Sequence, residues 1–167
     1  IENLIPLAPL HQPHNLEAIK TIKVIYPALP QVACFDTTFH RTQERLATIF
    51  AIPKMLTEEG IVRYGFHGIS FEYIASVMPK YINEKKNKRV IVAHLGNGAS
   101  MCAMYQCKSV ATTMGFTALD GLMMGTRCGQ IDPGILLYLL QEKNYTSNQL
   151  KHLLYTESGL LGVSGIS

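Results

Sequence analysis

The residues best suited to chemistry are an aspartate, a histidine and an arginine in three separate short motifs. Asp36 follows the apolar run QVACF, His67 lies within RYGFHG, and Arg127 lies between glycines in GTRCG. A carboxylate can hold Mg²⁺ through water or orient a nucleophile, and an arginine can bind phosphate or carboxylate through two parallel hydrogen bonds. Together these residue types suit phosphoryl transfer, in which catalysis is mainly positioning and charge stabilisation.

Each of the three also has a plainer interpretation. An aspartate after a strand caps the next turn about as often as it takes part in chemistry, so a cap is an even alternative for Asp36. A histidine in a glycine-flanked loop, such as His67, is more often packed than catalytic. Arg127 is more informative, because burying an arginine without a nearby carboxylate is unfavourable. The chain shows no Ser-His-Asp or Cys-His arrangement with a recognisable local signature.

A glycine turn in HLGNGAS, residues 94–100, offers a second kind of site. Asn-Gly between apolar strands is the strongest short-range signal for a β-hairpin. Glycines also let backbone N–H groups approach an anion closely, so the same turn can form a phosphate-binding nest. The turn is not a P-loop, because the G-x-x-x-x-G-K-[ST] pattern is absent and no helix pattern follows. The hairpin and the phosphate loop are compatible, and both interpretations stay open at this point.

Alternating strand and helix patterns must position these residues, and they indicate an α/β fold. Apolar runs predict buried strands over residues 31–36 (QVACFD), 89–95 and 99–106. Helical spacing of apolar residues predicts helices over residues 14–27, 69–83, 131–143 and 146–159. Residues 51–68 are rich in turn signals, and residues 113–130 carry many glycines without a clear period.

Caps and prolines sharpen three of the helix predictions. Asn15 is the expected N-cap of the first helix. The second helix is expected to be amphipathic, with Phe71 and Tyr81 on one face, and to kink or end at Pro79. Asp132, followed by a proline, is a strong start signal for the third helix.

The composition excludes several classes of protein. With 167 residues, 47% hydrophobic and 16% charged, the chain can bury a core and fits one domain or two small lobes. The net charge is +3, and the densest basic run (EKKNKR, residues 84–89) is interpreted as a solvated turn, so no nucleic acid is expected as a partner. Apolar runs are far shorter than the roughly 20 residues of a membrane span, and no signal-peptide pattern opens the chain.

The cysteines point to a reducing compartment. Cys34, Cys102, Cys107 and Cys128 form no C-x-x-C pair, and they lie in apolar or glycine-rich contexts. Free buried thiols in a cytosol fit best, and zinc is not expected because no cysteine lies at metal spacing from a histidine pair.

Seven motifs together resemble the acetate kinases, in the same order and with similar spacing over the whole chain. They are PLAPLHQPHN, FDTTFH, RYGFHG, HLGNGAS, TMGFTALDGLMMGTR, IDPG and SGLLGVSGIS. The resemblance implies the actin-like, ribonuclease H-like ATPase fold, here incomplete. Residues 1–37 would end the N-terminal lobe, and residues 38–167 would begin the C-terminal, nucleotide-binding lobe. In that superfamily the phosphate-binding elements are hairpin turns, which would make the glycine turn a hairpin and a phosphate site at once.

The same resemblance implies a reaction and its partners. It implies reversible transfer of the γ-phosphoryl group of ATP to acetate, giving acetyl phosphate and ADP, with Mg²⁺ or Mn²⁺. It also implies a cytoplasmic homodimer. Asp36 would match the catalytic aspartate near the metal, which it could bind through water. His67 would match the histidine that hydrogen-bonds the transferred phosphoryl group, and Arg127 the arginine that steadies the planar transition state.

Further site residues are implied in two groups. The nucleotide-phosphate loop would comprise His94, Leu95, Gly96, Asn97 and Gly98. On the substrate side, His11 would have a supporting role, and Leu10 and Phe66 would line the small apolar pocket for the substrate methyl group.

Some positions depart from the family pattern. The family usually has proline where this chain has Ala118, which would leave a larger acyl pocket. Ile69 and Phe71 replace polar residues, and the acid that usually follows GTR-x-G is Gln130 here. We therefore keep two alternatives to acetate kinase: a propionate or butyrate kinase, and a catalytically inactive truncated remnant.

Length is the largest departure, because family members are more than twice as long. The chain starts at Ile1 and ends on GVSGIS, so we expect a central segment of a longer protein. The adenosine-binding loop and a C-terminal metal-binding glutamate of the family find no match in it. By itself the 167-residue chain is expected not to make acetyl phosphate.

Overall fold

A computed structural model describes residues 1–9, 11–82 and 89–166, which form two units, Ile1–Phe35 and Asp36–Ser167. The first unit contains a 3₁₀ helix, Glu2–Leu7, and helix α1, Gln12–Ile25. The predicted helix is confirmed, but Asn15 is not its N-cap. His11 is the N-cap, since a proline in the first turn favours the earlier start, and the Asn15 side chain donates to Gln12 Oε1 instead.

The strand predicted over residues 31–36 is wrong. Residues 31–35 belong to neither helix nor strand, and Val32 is 88% exposed. An apolar run becomes a strand only where another strand pairs with its backbone, and no such pairing occurs in the part of the chain that the structure describes.

The second unit is built on a three-stranded antiparallel sheet of order β1-β2-β3. The strands are β1, Arg89–Leu95, β2, Ala99–Tyr105, and β3, Lys108–Thr112. The first two confirm the prediction, whereas β3 was not expected. The turn before β3 consists of Gln106 and Cys107, both with positive φ. A tight hairpin turn usually signals such φ angles by Asn-Gly, so Gln-Cys carried no sequence signal.

Along the chain, helices precede and follow the three strands. They are α2, Arg45–Thr48, α3, Lys54–Glu58, α4, Gly68–Val77, α5, Pro133–Gln141, α6, Ser147–Thr156, and α7, Gly159–Ser164, with 3₁₀ helices at Thr38–Thr42 and Met78–Lys80. As predicted, Asp132 caps α5, accepting from Gly134 N–H at 2.8 Å. A capping box between Thr146 and Gln149 begins α6.

The core of the second unit lies where α4 packs on the sheet. Phe71 and Ala75 of α4 meet Cys102 and Met104 of β2, and Phe71 is fully buried. The helix ends before Pro79, as expected. Tyr81 is 83% exposed rather than on the buried face, because α4 stops at Val77 and the helical period no longer applies beyond it.

Two interpretations of the sequence, the basic run and the lack of a membrane span, can be compared with the described residues. The basic run at residues 84–89 lies, except for its last residue, outside the described residues. Among the described helices, none is long and apolar enough to cross a membrane.

Candidate active site

The turn between β1 and β2 consists of Gly96, Asn97 and Gly98. Leu95 pairs with Ala99 across the strands, and Gly96 N–H donates to the Gly98 carbonyl oxygen at 3.1 Å. The hairpin interpretation is therefore confirmed. Neither glycine has a positive φ, so the backbone conformation itself does not require glycine here.

Space is what requires glycine at position 98. A Cβ added there would lie 2.6 Å from Arg127 Nη2 and 3.1 Å from His67 Nε2. The absence of a side chain thus lets a guanidinium and an imidazole reach the same point of the turn. A Cβ on Gly125 would likewise lie 2.6 Å from Asn97 Oδ1. Glycine at position 125 therefore lets the loop that carries Arg127 pack against the Asn97 side chain of the turn.

Arg127 is buried, with 7% of its surface exposed. Its Nη1 donates to the Ala118 carbonyl oxygen at 2.6 Å, and it forms no ion pair with any carboxylate among the described residues. Burial lowers the pKa of Arg127 from its ordinary value, an effect that nearby Tyr155 partly opposes. A buried cation that no described carboxylate neutralises is suited to binding an anion.

The end of α6 and the start of α7 hold the backbone around Arg127. Thr126 Oγ1 donates to the Tyr155 carbonyl oxygen at 2.9 Å, and the Thr126 carbonyl oxygen accepts from Ser158 N–H at 3.0 Å. Gly159 has φ +64°, and a Cβ there would overlap the carbonyl oxygens of Met124 and Arg127. These contacts fix the backbone that carries the Arg127 side chain.

Asp36 is bound to the backbone at the start of α4. Its Oδ2 accepts from His67 N–H at 2.7 Å, and its carbonyl oxygen accepts from Gly68 N–H at 2.7 Å. The carboxylate therefore lies at the helix N-terminus, where the macrodipole favours negative charge. The plainer interpretation, a cap on the turn that follows Asp36, is wrong. Thr37 is the N-cap of the next 3₁₀ helix and has no side-chain cap hydrogen bond, whereas the Asp36 carboxylate binds the backbone of His67.

His67 is the N-cap of α4 and adopts the left-handed conformation, φ 59° and ψ 22°. This conformation costs a residue other than glycine about 1–2 kcal/mol. Strain of this kind persists where the surroundings impose it, and it occurs frequently at functional sites.

The two histidines of the site stack on each other. The rings of His67 and His94 have centroids 4.1 Å apart and planes 21° apart. His67 Nδ1 is hydrogen-bonded to Ser100 Oγ at 2.8 Å, and His94 Nδ1 to Ser70 Oγ at 3.0 Å. Each serine bond restrains its ring, so each Nε2 has a defined direction, and that of His67 is towards the turn.

Comparison with known proteins places this arrangement in a family. The model of the acetokinase family matches residues 1–167. The chain belongs to the acetokinase family. It is 62% identical to an acetate kinase of Rhodopseudomonas palustris over 162 residues, and 55% identical to an acetate kinase of Nitrobacter hamburgensis over 167 residues. These alignments cover 96% and 100% of the chain, and 41% of each relative.

Solved structures agree with this acetokinase assignment. A propionate kinase from Francisella tularensis superposes with a TM-score of 0.92 at 44% identity, covering 99% of this chain and 43% of that one. The acetate kinase of Porphyromonas gingivalis superposes with a TM-score of 0.84 at 40% identity, covering 99% and 42%. The predicted α/β, actin-like fold is thereby confirmed, over less than half the length of these relatives.

The structure brings together five of the eleven predicted site residues. Asp36, His67, His94, Gly98 and Arg127 are linked through the contacts described above. Their functional roles stay predictions.

Four other predicted positions differ in their surroundings. Phe66 is 8% exposed, so little of it is accessible, while the side chain of Leu95 is 75% exposed. His11 lies in the first unit and is exposed. Leu10 lies outside the described residues. Their proposed contacts with substrate or nucleotide stay predictions too.

Sequence reasoning missed the residues that support this acetokinase site. Ser70, Ser100 and Tyr155 carry no local signal, because their partners lie 24 to 33 residues away or on another element. His40 is also unpredicted, although it lies within the quoted motif FDTTFH. It is 3% exposed, and its Nε2 is hydrogen-bonded to the Phe66 carbonyl oxygen at 2.9 Å.

A divalent cation would find one suitable carboxylate among the residues described. No group of three or more His, Cys, Asp and Glu side chains there could enclose a metal ion. Asp36 has lone pairs beyond those used by backbone N–H groups, since a carboxylate offers about four. That donor chemistry fits Mg²⁺, which usually retains waters and binds through one or two carboxylates together with substrate phosphates.

Proposed function

We propose that the protein to which this chain belongs transfers the γ-phosphoryl group of ATP reversibly to acetate, giving acetyl phosphate and ADP. One observation carries the proposal: Arg127 and His67 converge on Gly98 of a glycine hairpin turn. Membership of the acetokinase family supports it, as do relatives named acetate kinase at 62% and 55% identity. Because the chain spans about two fifths of these relatives, the activity of the whole protein is inferred.

The turn is proposed to bind the phosphates of ATP or ADP. Because the Gly96 N–H donates to the Gly98 carbonyl oxygen, the backbone N–H groups proposed to approach a phosphate are those of Asn97 and Gly98. The glycines at positions 96 and 98 leave room for that approach. Leu95 and His94 would flank this nucleotide-phosphate loop.

Arg127 and His67 are proposed to stabilise the transferred phosphoryl group. Acetate is a weak nucleophile, and its attack brings one negative charge towards another. The Arg127 guanidinium offsets this repulsion as charge builds on the equatorial phosphoryl oxygens. His67 would hydrogen-bond the same group, and its restrained ring needs little reorganisation. Removal of one such donor typically lowers the rate by about 10²–10³-fold.

Asp36 is proposed to hold Mg²⁺ or Mn²⁺, through water. When bound, the cation would supply positive charge to the phosphate oxygens. The chain's own contribution is the placement of one carboxylate at the start of α4, beside the backbone of His67. From the family resemblance, separate roles towards acetate are proposed for His11 and Phe66.

The cellular setting is proposed from the cysteines and from the family resemblance. All four cysteines are free thiols, which suits a reducing cytoplasm. The prediction that they are buried holds for Cys102 and is wrong for Cys34, which is exposed. The homodimer is proposed from the family resemblance alone.

A chimera tests the proposed reaction. Residues 1–167 would replace the matching segment of the Rhodopseudomonas palustris acetate kinase. With ATP, Mg²⁺ and acetate, trapping by hydroxylamine should yield acetyl hydroxamate. A folded chimera that binds ATP but forms no acyl phosphate would contradict the proposal and favour the inactive remnant. The isolated chain, run in parallel, is expected to show no turnover.

A second candidate is a propionate kinase, because Ala118 stands where the family usually has proline. The Francisella tularensis neighbour is a propionate kinase. A pocket with room for one more methylene changes discrimination by only about 1–3 kcal/mol. Comparing kcat/KM for acetate and propionate in the chimera decides between them, with Ala118→Pro as the variant expected to shift preference towards acetate.

A further inference from the structure

His40 is a buried titratable side chain that the proposed chemistry does not use. It lies on the 3₁₀ helix Thr38–Thr42, with 3% of its surface exposed. Its ring packs edge-on against Phe39 and Phe71, with centroids 5.8 and 5.7 Å away. Both ring nitrogens nevertheless make hydrogen bonds, Nε2 to the Phe66 carbonyl oxygen and Nδ1 to Ser109 Oγ, each at 2.9 Å.

These partners determine the protonation of the ring. The Phe66 carbonyl oxygen can only accept, so Nε2 carries the hydrogen. Ser109 Oγ already accepts from Gln43 Nε2 at 2.9 Å and from Cys102 Sγ at 3.3 Å. The single hydrogen of the Cys102 thiol also has the Ala103 carbonyl oxygen within reach, at 3.6 Å from Sγ. With Gln43 donating to Ser109 Oγ, the hydroxyl can donate its own hydrogen to Nδ1, and this arrangement fits a neutral His40 with its proton on Nε2.

The bond to Phe66 acts on the backbone of His67. The Phe66 carbonyl and the His67 N–H belong to one peptide group. His40 Nε2 binds the oxygen of this group at 2.9 Å, and Asp36 Oδ2 binds its N–H at 2.7 Å. Asp36 and His40 both lie in the motif FDTTFH, so this one motif binds the peptide group at its N–H and at its carbonyl oxygen.

The peptide group that Asp36 and His40 bind lies beside a strained part of the backbone. His67 is in the left-handed conformation directly after the held peptide, and Gly65, directly before Phe66, has φ +71°. A Cβ on Gly65 would lie 2.6 Å from His40 Cδ2, so the imidazole also packs closely on the preceding turn.

We propose that His40 is a positioning residue, which holds the peptide between Phe66 and His67 and so directs the His67 imidazole towards Gly98. The functional consequence rests on the proposed phosphoryl transfer, whereas the positioning itself does not. Burial lowers the pKa of His40, which agrees with a ring that stays neutral near pH 7.

The test uses the isotope-labelled 167-residue chain. Long-range ¹H–¹⁵N spectra at pH 7.5 should show His40 as the neutral Nε2–H tautomer. Exchange of the His67 amide hydrogen should become about tenfold faster in His40→Leu, after correction for global opening measured at Met104 in β2. His40→Gln, whose side-chain N–H can replace the Nε2–H, should restore most of the protection.

Ser109→Ala is the matched control, because it removes a buried hydrogen bond from the same ring but leaves the bond to Phe66. Its corrected His67 exchange should stay within about twofold of the wild type. An Nδ1–H or doubly protonated His40 would overturn the proposal, as would corrected His67 exchange that is equally fast in Ser109→Ala and His40→Leu. If His40→Leu does not fold, the tautomer of His40 and the exchange in His40→Gln still decide the question, since loss of protection in His40→Gln as large as that expected for leucine would overturn the proposal.

Activity in the chimera separates this proposal from the proposed function. His40→Leu should lower kcat while leaving KM for ATP nearly unchanged, and His40→Gln should recover part of kcat. An inactive wild-type chimera with the expected His67 exchange would refute the function and leave the positioning intact. An active wild-type chimera with unchanged His67 exchange in His40→Leu would refute the positioning role and leave the proposed function intact.

Discussion

Substitution of Gly98 by alanine perturbs the proposed site at its point of convergence. The backbone there does not have a positive φ, so alanine fits the turn conformation. The new Cβ would nevertheless lie 2.6 Å from Arg127 Nη2 and 3.1 Å from His67 Nε2. The collision therefore acts on the two side chains rather than on the hairpin.

The size of the effect follows from these distances. Carbon and nitrogen atoms in ordinary contact are about 3.5 Å apart, so the guanidinium must retreat by about 1 Å. Its bond to the Ala118 carbonyl oxygen, at 2.6 Å, restrains that movement. A misplacement of about 1 Å in a positioning group can lower a rate by about 10²-fold. The loss of stability should be smaller, about 1 kcal/mol, because the tip of an arginine can yield.

The assay is acetyl hydroxamate formation by the chimera, together with urea unfolding of the 167-residue chain. Gly96→Ala is the matched control, because its Cβ would lie 3.3 Å from the nearest atoms and would not contact Arg127. We expect kcat to fall about 100-fold in Gly98→Ala and less than about tenfold in Gly96→Ala. Equal losses in the two variants, or full activity of Gly98→Ala, would refute the reasoning.

Two further predictions concern stability. His40 has a lowered pKa in the folded chain because it is buried, so below about pH 6.5 the unfolded chain takes up a proton that the folded chain resists. As the pH is lowered below this value, the free energy of unfolding should fall by up to about 1.4 kcal/mol per pH unit, and His40→Gln should abolish this contribution. The measurement is the free energy of unfolding from urea titrations between pH 7.5 and 5.5, and the same pH dependence in wild type and variant would contradict the prediction. Gly159→Ala should destabilise the chain by about 3 kcal/mol, since its φ is +64° and its Cβ would overlap the Met124 carbonyl oxygen. Gly134→Ala, in α5 at an ordinary φ, should change the unfolding midpoint little, and a similar loss in both variants would show that the close packing at Gly159 is not the cause.

Local sequence signals predicted those elements whose causes are local. The Asn-Gly turn after an apolar strand predicted the hairpin, and Asp132 before a proline predicted the start of α5. Pro79 likewise predicted the end of α4, since proline cannot continue a helix. Each of these signals acts within a few residues, so no tertiary information was needed.

Elements that depend on distant partners were missed or wrong. Residues 31–35 had an apolar composition typical of a strand, but strand pairing is a property of two segments. The turn at Gln106 and Cys107 adopts positive φ without the residues that usually signal it, because pairing of β2 with β3 imposes the conformation. Tertiary context overrides composition in both cases.

In the candidate site, too, local signals were predictable and contacts between distant segments were not. The residue types of Asp36, His67 and Arg127 suggested phosphoryl transfer, and the order of the motifs indicated the family. The stacking of His67 on His94 and the hold of His40 on the Phe66 carbonyl could not be inferred, because they join segments up to 27 residues apart through space. The sequence explained the glycine at position 98 by a hairpin turn and by the close approach of an anion, whereas the structure shows that a Cβ there would also collide with Arg127.

The most direct measurement for the central claim is kcat of the chimera with Arg127→Ala, alongside Arg127→Lys, in acetyl phosphate formation. If Arg127 stabilises the transferred phosphoryl group, Arg127→Ala should lower kcat by about 10²–10³-fold. Arg127→Lys should retain part of the wild-type kcat, because lysine keeps the positive charge but lacks the planar guanidinium with its paired N–H donors. Far-ultraviolet circular dichroism would establish that both variants fold. A folded Arg127→Ala chimera with an unchanged rate would contradict the account.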